Sequence, residues 1–157
     1  MTNKRLMSWS MAMRDLRRHP ERRGEVREER LRATAGLRGT LDLSSWRGRS
    51  GRRYVVGVRP LTETEALEVR DAVIIAVGRD QDGLAKVVDA AAAGPRLRPR
   101  ERRSWTSRAR ARGATELHVH RLAEDGRGRA AVVADLVGTE PAEILTASRR
   151  DAPGPGR

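Results

Sequence analysis

Asp71-Ala-Val-Ile-Ile-Ala-Val-Gly-Arg-Asp-Gln-Asp-Gly-Leu-Ala-Lys-Val-Val-Asp-Ala90 is the stretch on which the fold turns. After Asp71 the chain to Val77 is a continuous apolar run rich in β-branched side chains, the pattern of a strand buried on both faces. The polar segment from Arg79 to Gly83 carries turn chemistry, and Leu84 to Ala90 reads as the returning strand of a hairpin. Val73 to Val77 paired with Leu84 to Val88 is therefore the expected centre of a sheet.

Upstream, Gly48-Arg-Ser-Gly51 is a turn, and Tyr54, Val56 and Val58 alternate with Val55, Gly57 and Arg59 until Pro60 ends a strand. Thr62 with Glu65 three residues on is a capping box that opens a short helix through Val69. Downstream, Ala90 to Pro99 reads as a small-residue connection, and Arg100 to Arg112 as a helix whose apolar stripe holds Trp105 and Ala109. Thr115 to His120 alternates, placing Leu117 and Val119 on a buried face and Glu116, His118 and His120 on a face expected to meet solvent. Ala130, Val133, Ala134 and Val137 recur at helical spacing over 127–137, and Gly138 is the stop signal. The fold expected is α/β, a small and mainly antiparallel sheet with flanking helices. Its core is predicted to contain Val56, Val58, Val73, Ile75, Val77, Val87, Leu117, Val119, Val133 and Leu136.

The 157 residues suit one domain, placed at 40–141, between a basic arm at 1–39 and a tail at 142–157. Pro20 to Arg32 is helix-like, but only Val26 and Leu31 in it are apolar enough to bury. The arm is expected to be disordered or a frayed helix, with Met7, Met11 and Met13 available as alternative starts. Pro and Gly after Asp151 predict a flexible tail. No apolar run approaches a membrane span and charges interrupt the first 20 residues, so a cytoplasmic protein without membrane contact is expected. The absence of cysteine excludes disulfides, thiolate metal sites and a cysteine nucleophile. With no phenylalanine and only Tyr54, Trp9, Trp46 and Trp105 as aromatics, the core must be built mainly from Val, Ile, Leu and Ala.

The net charge is +12, and of the 33 basic residues only Lys4 and Lys86 are not arginine. Residues 1–39 carry +6 and residues 94–112 carry +7, whereas 46–93 carry +1 and 113–148 carry −3. Two readings fit this distribution. One is attraction of a polyanion, DNA or RNA, through counterion release; the other is the Arg, Ala, Gly and Pro bias of a GC-rich genome. On the first reading the interface is the basic helix, with Arg100, Arg102, Arg103, Arg108 and Arg112 following the phosphates and Trp105 offering a stacking surface. On the second, Trp105 packs on the sheet and the arginines are solvated.

Two segments carry a family likeness. Trp46-Arg-Gly-Arg-Ser-Gly-Arg-Arg-Tyr-Val-Val-Gly-Val-Arg-Pro-Leu61, and later Gly113-Ala-Thr-Glu-Leu-His-Val-His120 followed by Ala134-Asp-Leu136 and Pro141, resemble small bacterial proteins of the GIY-YIG nuclease fold. The resemblance spans about 46–141. It implies an antiparallel sheet with two signature tripeptides on adjacent strands, a helical arginine after them and a metal-binding glutamate on a later helix. Phosphodiester hydrolysis needs such parts to activate water and to stabilise developing charge. At the corresponding places this chain has Ile74 instead of tyrosine, Lys86-Val-Val-Asp89 without Tyr or Gly, and Val133 instead of glutamate, while Arg100, Arg102, Arg103 and Arg108 all fit the helical arginine. The resemblance thus implies the scaffold without the nuclease chemistry, a pseudoenzyme with no cofactor. The alternative is a divalent-metal-dependent endonuclease with a displaced site, for which Asp89, Asp135 or Glu116 would be relocated ligands.

Two smaller constellations remain. Glu116, His118 and His120 on one strand face are three potential metal ligands, with a solvated polar face as the simpler reading. Gly48-Arg-Ser-Gly51 has the composition of a phosphate cradle, with a strand-entry turn as its simpler reading. Ser50 lacks the setting of an exposed nucleophile.

Overall fold

The computed structural model describes residues 24–31 and 42–138. Its strands are β1 (Arg27–Arg30), β2 (Leu43–Arg47), β3 (Arg53–Pro60), β4 (Ala72–Arg79), β5 (Ala85–Ala93) and β6 (Glu116–His120). Its helices are α1 (Glu63–Glu68), α2 (Pro99–Ala111) and α3 (Gly126–Val137). The strands form one curled antiparallel sheet in the order β1-β2-β3-β6-β4-β5, flanked by the three helices. The α/β class and the antiparallel sheet expected from the sequence are what the chain forms.

The hairpin forms where the apolar run placed it, but at one edge of the sheet and not at its centre, because β6 pairs with β4 from the other side and β5 is the last strand in the order. Asp80 Oδ1 accepts from the backbone N–H groups of Asp82 and Leu84, and Gly83 takes a φ of 76°, which an L side chain rarely adopts. β5 runs further than Val88, to Ala93, with a register shift between Ala76 and Val77 on β4. The segment read as a connection from Ala90 is thus strand as far as Ala93. Alanine is a poor strand former alone, but here Ala90 to Ala93 pair with Ile75 to Ala72, and pairing decides the conformation.

Alternation along β4 divides the core. Ile74 and Ala76 pack with Leu117, Val119, Ala66 and Val69, and with Trp105 and Ala109 of α2. Val73, Ile75 and Val77 pack on the other face with Trp46, Tyr54, Val56 and the α3 residues Val132 and Leu136. Thr62 and Gly138 act as the sequence signals predict, Thr62 accepting from Glu65 N at the start of α1 and Gly138 closing α3 in the left-handed conformation; Asp125, not singled out in the sequence, caps the start of α3 through Gly128 N. Three expected core residues are only half-buried. Val58 lies past the last β2–β3 pair, Leu43 with Gly57; Val87 borders the register shift; Val133 flanks the packed stripe of Val132 and Leu136.

The N-terminal arm departs from expectation most. Arg27–Arg30 is a strand paired with β2, not part of a helix, so the sheet begins well before residue 40. Its alternation explains why: Glu28 shares a face with Trp46, while Glu29 on the other face meets Arg27, Arg47 and Arg53. The rest of the expected arm and tail, 1–23, 32–41 and 139–157, lies outside the described residues, as does the question of their order. No described helix is long and apolar enough to cross a membrane.

The curl is documented by one side chain. Arg79 on β4 reaches Glu28 on β1 at 3.0 Å although β2, β3 and β6 lie between those strands in the sheet. The same guanidinium donates to both oxygens of Glu116, at 2.6 and 2.9 Å. Removing the cation would strand two carboxylates. The variant Arg79→Met should lose about 2 to 4 kcal/mol in denaturant unfolding, below the range for a fully buried pair because Arg79 keeps some contact with solvent. A loss under about 0.5 kcal/mol would place Arg79 among ordinary surface pairs instead.

Candidate nucleic-acid interface

Helix α2 begins with Pro99 in its first turn, where a missing N–H costs nothing, and buries Trp105, Thr106 and Ala109. The expected interface residues fall into three groups. Arg102 is structural: its guanidinium donates to the carbonyls of Ala66 at 2.8 Å and Val69 at 3.3 Å, satisfying acceptors at the end of α1. Arg103 and Arg112 sit 3.8 Å from Glu63 and Asp89. The side chains of Arg100 and Arg108 make no hydrogen bond or ion pair with the described residues.

Trp105 does not present a stacking face. It is only 6% exposed and packs on the sheet, so the role of stacking surface is corrected: a base reaching that ring would have to displace core contacts. Beside it, however, lies a groove of about 910 Å³ between α2, the end of β5 and the connection that joins them. Five arginines, Arg96, Arg98, Arg100, Arg102 and Arg108, line it against one carboxylate, Glu101, which is paired with Arg98 at 3.2 Å. Arg96 and Arg98 were not singled out in the sequence, though the +7 of residues 94–112 includes both. The structure thus gathers Arg100, Arg102, Trp105 and Arg108 at one groove, while Arg103 and Arg112 do not line it.

The strand face of Glu116, His118 and His120 is not solvated. His118 is fully buried and His120 5% exposed, because the curled sheet lays Trp46 and Tyr54 over them; alternation reveals two faces but not which of them is covered. Trp46 Nε1 donates to His118 Nδ1 at 3.0 Å, so the proton of the neutral ring sits on Nε2, which donates to Glu116 at 2.9 Å. His120 Nδ1 donates to the Val55 carbonyl at 2.8 Å. Both nitrogens of His118 are therefore engaged, and burial lowers its pKa below the usual histidine value. Burial pushes the carboxyls of Glu116 and Glu28 up, but hydrogen bonds from Arg79, with help from His118 and Ser44, outweigh it and both end below the usual range. Among the described residues no group of three or more His, Asp or Glu side chains is arranged to hold a metal ion.

Gly48-Arg-Ser-Gly51 does cradle an anion, and the anion is internal. Asp135 of α3 accepts from Ser50 N and Ser50 Oγ, both at 2.7 Å, and from the Tyr54 hydroxyl at 2.8 Å. Desolvation raises the Asp135 carboxyl, but these donors leave it below its ordinary value; burial and the Asp135 charge push the Tyr54 hydroxyl up to about 12. The turn is thus a fold contact rather than a free phosphate site, and Ser50 and Asp135 are committed to each other. The three positions where nuclease residues would stand also diverge. Ile74 packs with Trp105 on one face, Val133 with Val132's cluster on the other, and Lys86 is exposed near Asp80.

Comparison of the chain with protein-family models, curated proteins and solved structures found no match.

Two outcomes follow from these contacts. A Cβ on Gly48 would overlap the Asp135 carboxylate and lie 3.0 Å from the Tyr54 ring. Gly48→Ala should therefore destabilise the fold by about 1 to 3 kcal/mol, read as a fall in Tm, whereas Gly57→Ala, where a Cβ meets open space, should cost less than half as much. His118 is held neutral with its pKa lowered on folding, so its contribution is complete above the unfolded value near ~6.5 and is lost as pH falls toward the folded value. Unfolding free energy should decline from pH 7.5 to 5 in the wild type. His118→Gln should remove most of that slope, and an unchanged slope in the variant would assign it to other groups.

Proposed function

We propose that this chain is a non-catalytic α/β module that binds DNA or RNA through the arginine-lined groove and the exposed face of α2. The observation that supports it is the concentration of cations there without counterions: Arg96, Arg100 and Arg108 line one concavity and have no partner among the described residues, on a domain otherwise near neutrality. Arginine forks match phosphate geometry, and a strip of them attracts a polyanion whatever its sequence.

The GIY-YIG resemblance enters here as part of the proposal. The succession of hairpin β4–β5, helix α2, strand β6 and helix α3 is compatible with it. The non-catalytic character is supported by the separation of Ile74, Lys86 and Val133 and by the engagement of Glu116 and Asp135 in internal contacts.

Binding of the full chain to single- and double-stranded DNA and RNA should weaken linearly in log affinity against log salt. The slope should be about 0.7 to 0.9 per phosphate neutralised. The triple variant Arg96→Ala, Arg100→Ala, Arg108→Ala should flatten that slope by about 2 to 3, without a change in Tm, because none of the three is used to hold the fold. Absence of binding to all four ligands at about 50 mM salt, where attraction is strong, would return the arginines to their compositional explanation.

A further inference from the structure

Trp105 carries a feature that packing alone leaves unexplained. Its indole Nε1 is buried and has no hydrogen-bond partner. Trp46, fully buried, meets the usual requirement by donating to His118. Buried donors are nearly always satisfied, and one left unpaired costs free energy that any incoming acceptor recovers. Trp105 is also part of the lining of the arginine groove. The orphan donor, closed off from solvent, therefore belongs to a side chain that lines a strongly cationic concavity.

The groove differs from a surface that merely follows a nucleic-acid backbone. Ala91, Ala92 and Pro95 contribute apolar surface, and Arg96, Arg100 and Arg108 contribute charge. Its volume of about 910 Å³ lies within the range of sites that enclose small molecules. Apolar surface for a planar ring, cations for a phosphate and one unpaired N–H for an acceptor together describe a nucleotide. We propose that this groove is a discrete pocket for one phosphorylated nucleotide unit, the arginines meeting its phosphate and Trp105 Nε1 donating to it from the wall. This inference rests on the nucleic-acid reading above and narrows it to a particular chemical unit.

The test uses the full chain labelled with ¹⁵N, in which the indole N–H resonances of Trp9, Trp46 and Trp105 are followed separately. A nucleoside 5′-monophosphate should move the Trp105 resonance while Trp46, bonded to His118, stays in place. The unphosphorylated nucleoside should bind about tenfold more weakly or worse. Short single strands with a 5′-phosphate or a 5′-hydroxyl identify the source: preference for the phosphorylated end assigns the pocket to strand termini, and equal binding of the two assigns it to free nucleotide. W105F keeps an aromatic ring but removes the N–H, and should weaken monophosphate binding several-fold without erasing its advantage over the nucleoside, which the arginines supply, while leaving the salt slope for long strands unchanged. A Trp105 resonance that stays fixed under saturating monophosphate would overturn the pocket and, if long strands still bind, leave the broader reading intact. Failure of long strands to bind while the monophosphate still moves Trp105 would sink the broader reading and keep the pocket.

Discussion

The position of one guanidinium governs the shape of this protein. Arg79 leaves the end of β4 and spans the interior of the curl, joining Glu28 of the edge strand to Glu116 of the neighbouring strand. Around it, Ser44 donates to Glu28, and Glu116 accepts from His118, which accepts in turn from Trp46. Such a cluster is not a large source of net stability, since taking charges from water costs nearly what their attraction returns. What it supplies is specificity. Each member is satisfied only when β1, β2, β4 and β6 hold this arrangement, and an opened sheet would leave carboxylates partly desolvated without their cation.

This constraint also determines where chemistry is available. The polar residues weighed as ligands or as a phosphate cradle in the sequence, His118, Glu116, Ser50 and Asp135, are consumed by contacts between elements. The turn at 48–51 supplies donors to a carboxylate of α3, and the strand histidine supplies an acceptor to a buried indole. A protein without phenylalanine or cysteine has few bulky groups with which to seal such an interior, and it uses two tryptophans in contrasting ways. Trp46 is satisfied inside the curl, whereas Trp105 closes the opposite face with its donor unpaired. Unspent polar capacity is therefore concentrated beside α2, where Arg96, Arg100 and Arg108 have no counterion among the described residues.

The β4–β5 hairpin, β3, β6 and all three helices were legible because each has a strong local cause: apolar runs, alternation, and Thr62 and Gly138 as start and stop signals. The strand at 27–30 and the extension of β5 through Ala93 were not. Their residues, charged in one case and alanine in the other, have no intrinsic bias toward strand, and they adopt it only because a neighbouring edge offers backbone partners. The candidate interface was legible as a charge density on residues 94–112 but not as a groove, since its shape depends on how α2 is seated against β5.

By itself the sequence determined the antiparallel α/β class, the hairpin at 72–93 and the abundance of arginine, because periodicity, turn chemistry and charge are properties of neighbours along the chain. Only the tertiary structure decided that the Glu116, His118 and His120 face is buried, that the 48–51 turn receives Asp135 instead of an external anion, and that the Arg102 side chain is spent while those of Arg100 and Arg108 meet no partner among the described residues. The physical reason is the same in each case. Whether a polar group is available depends on which distant group arrives to satisfy it, and strand alternation or helical spacing carries no information about that arrival.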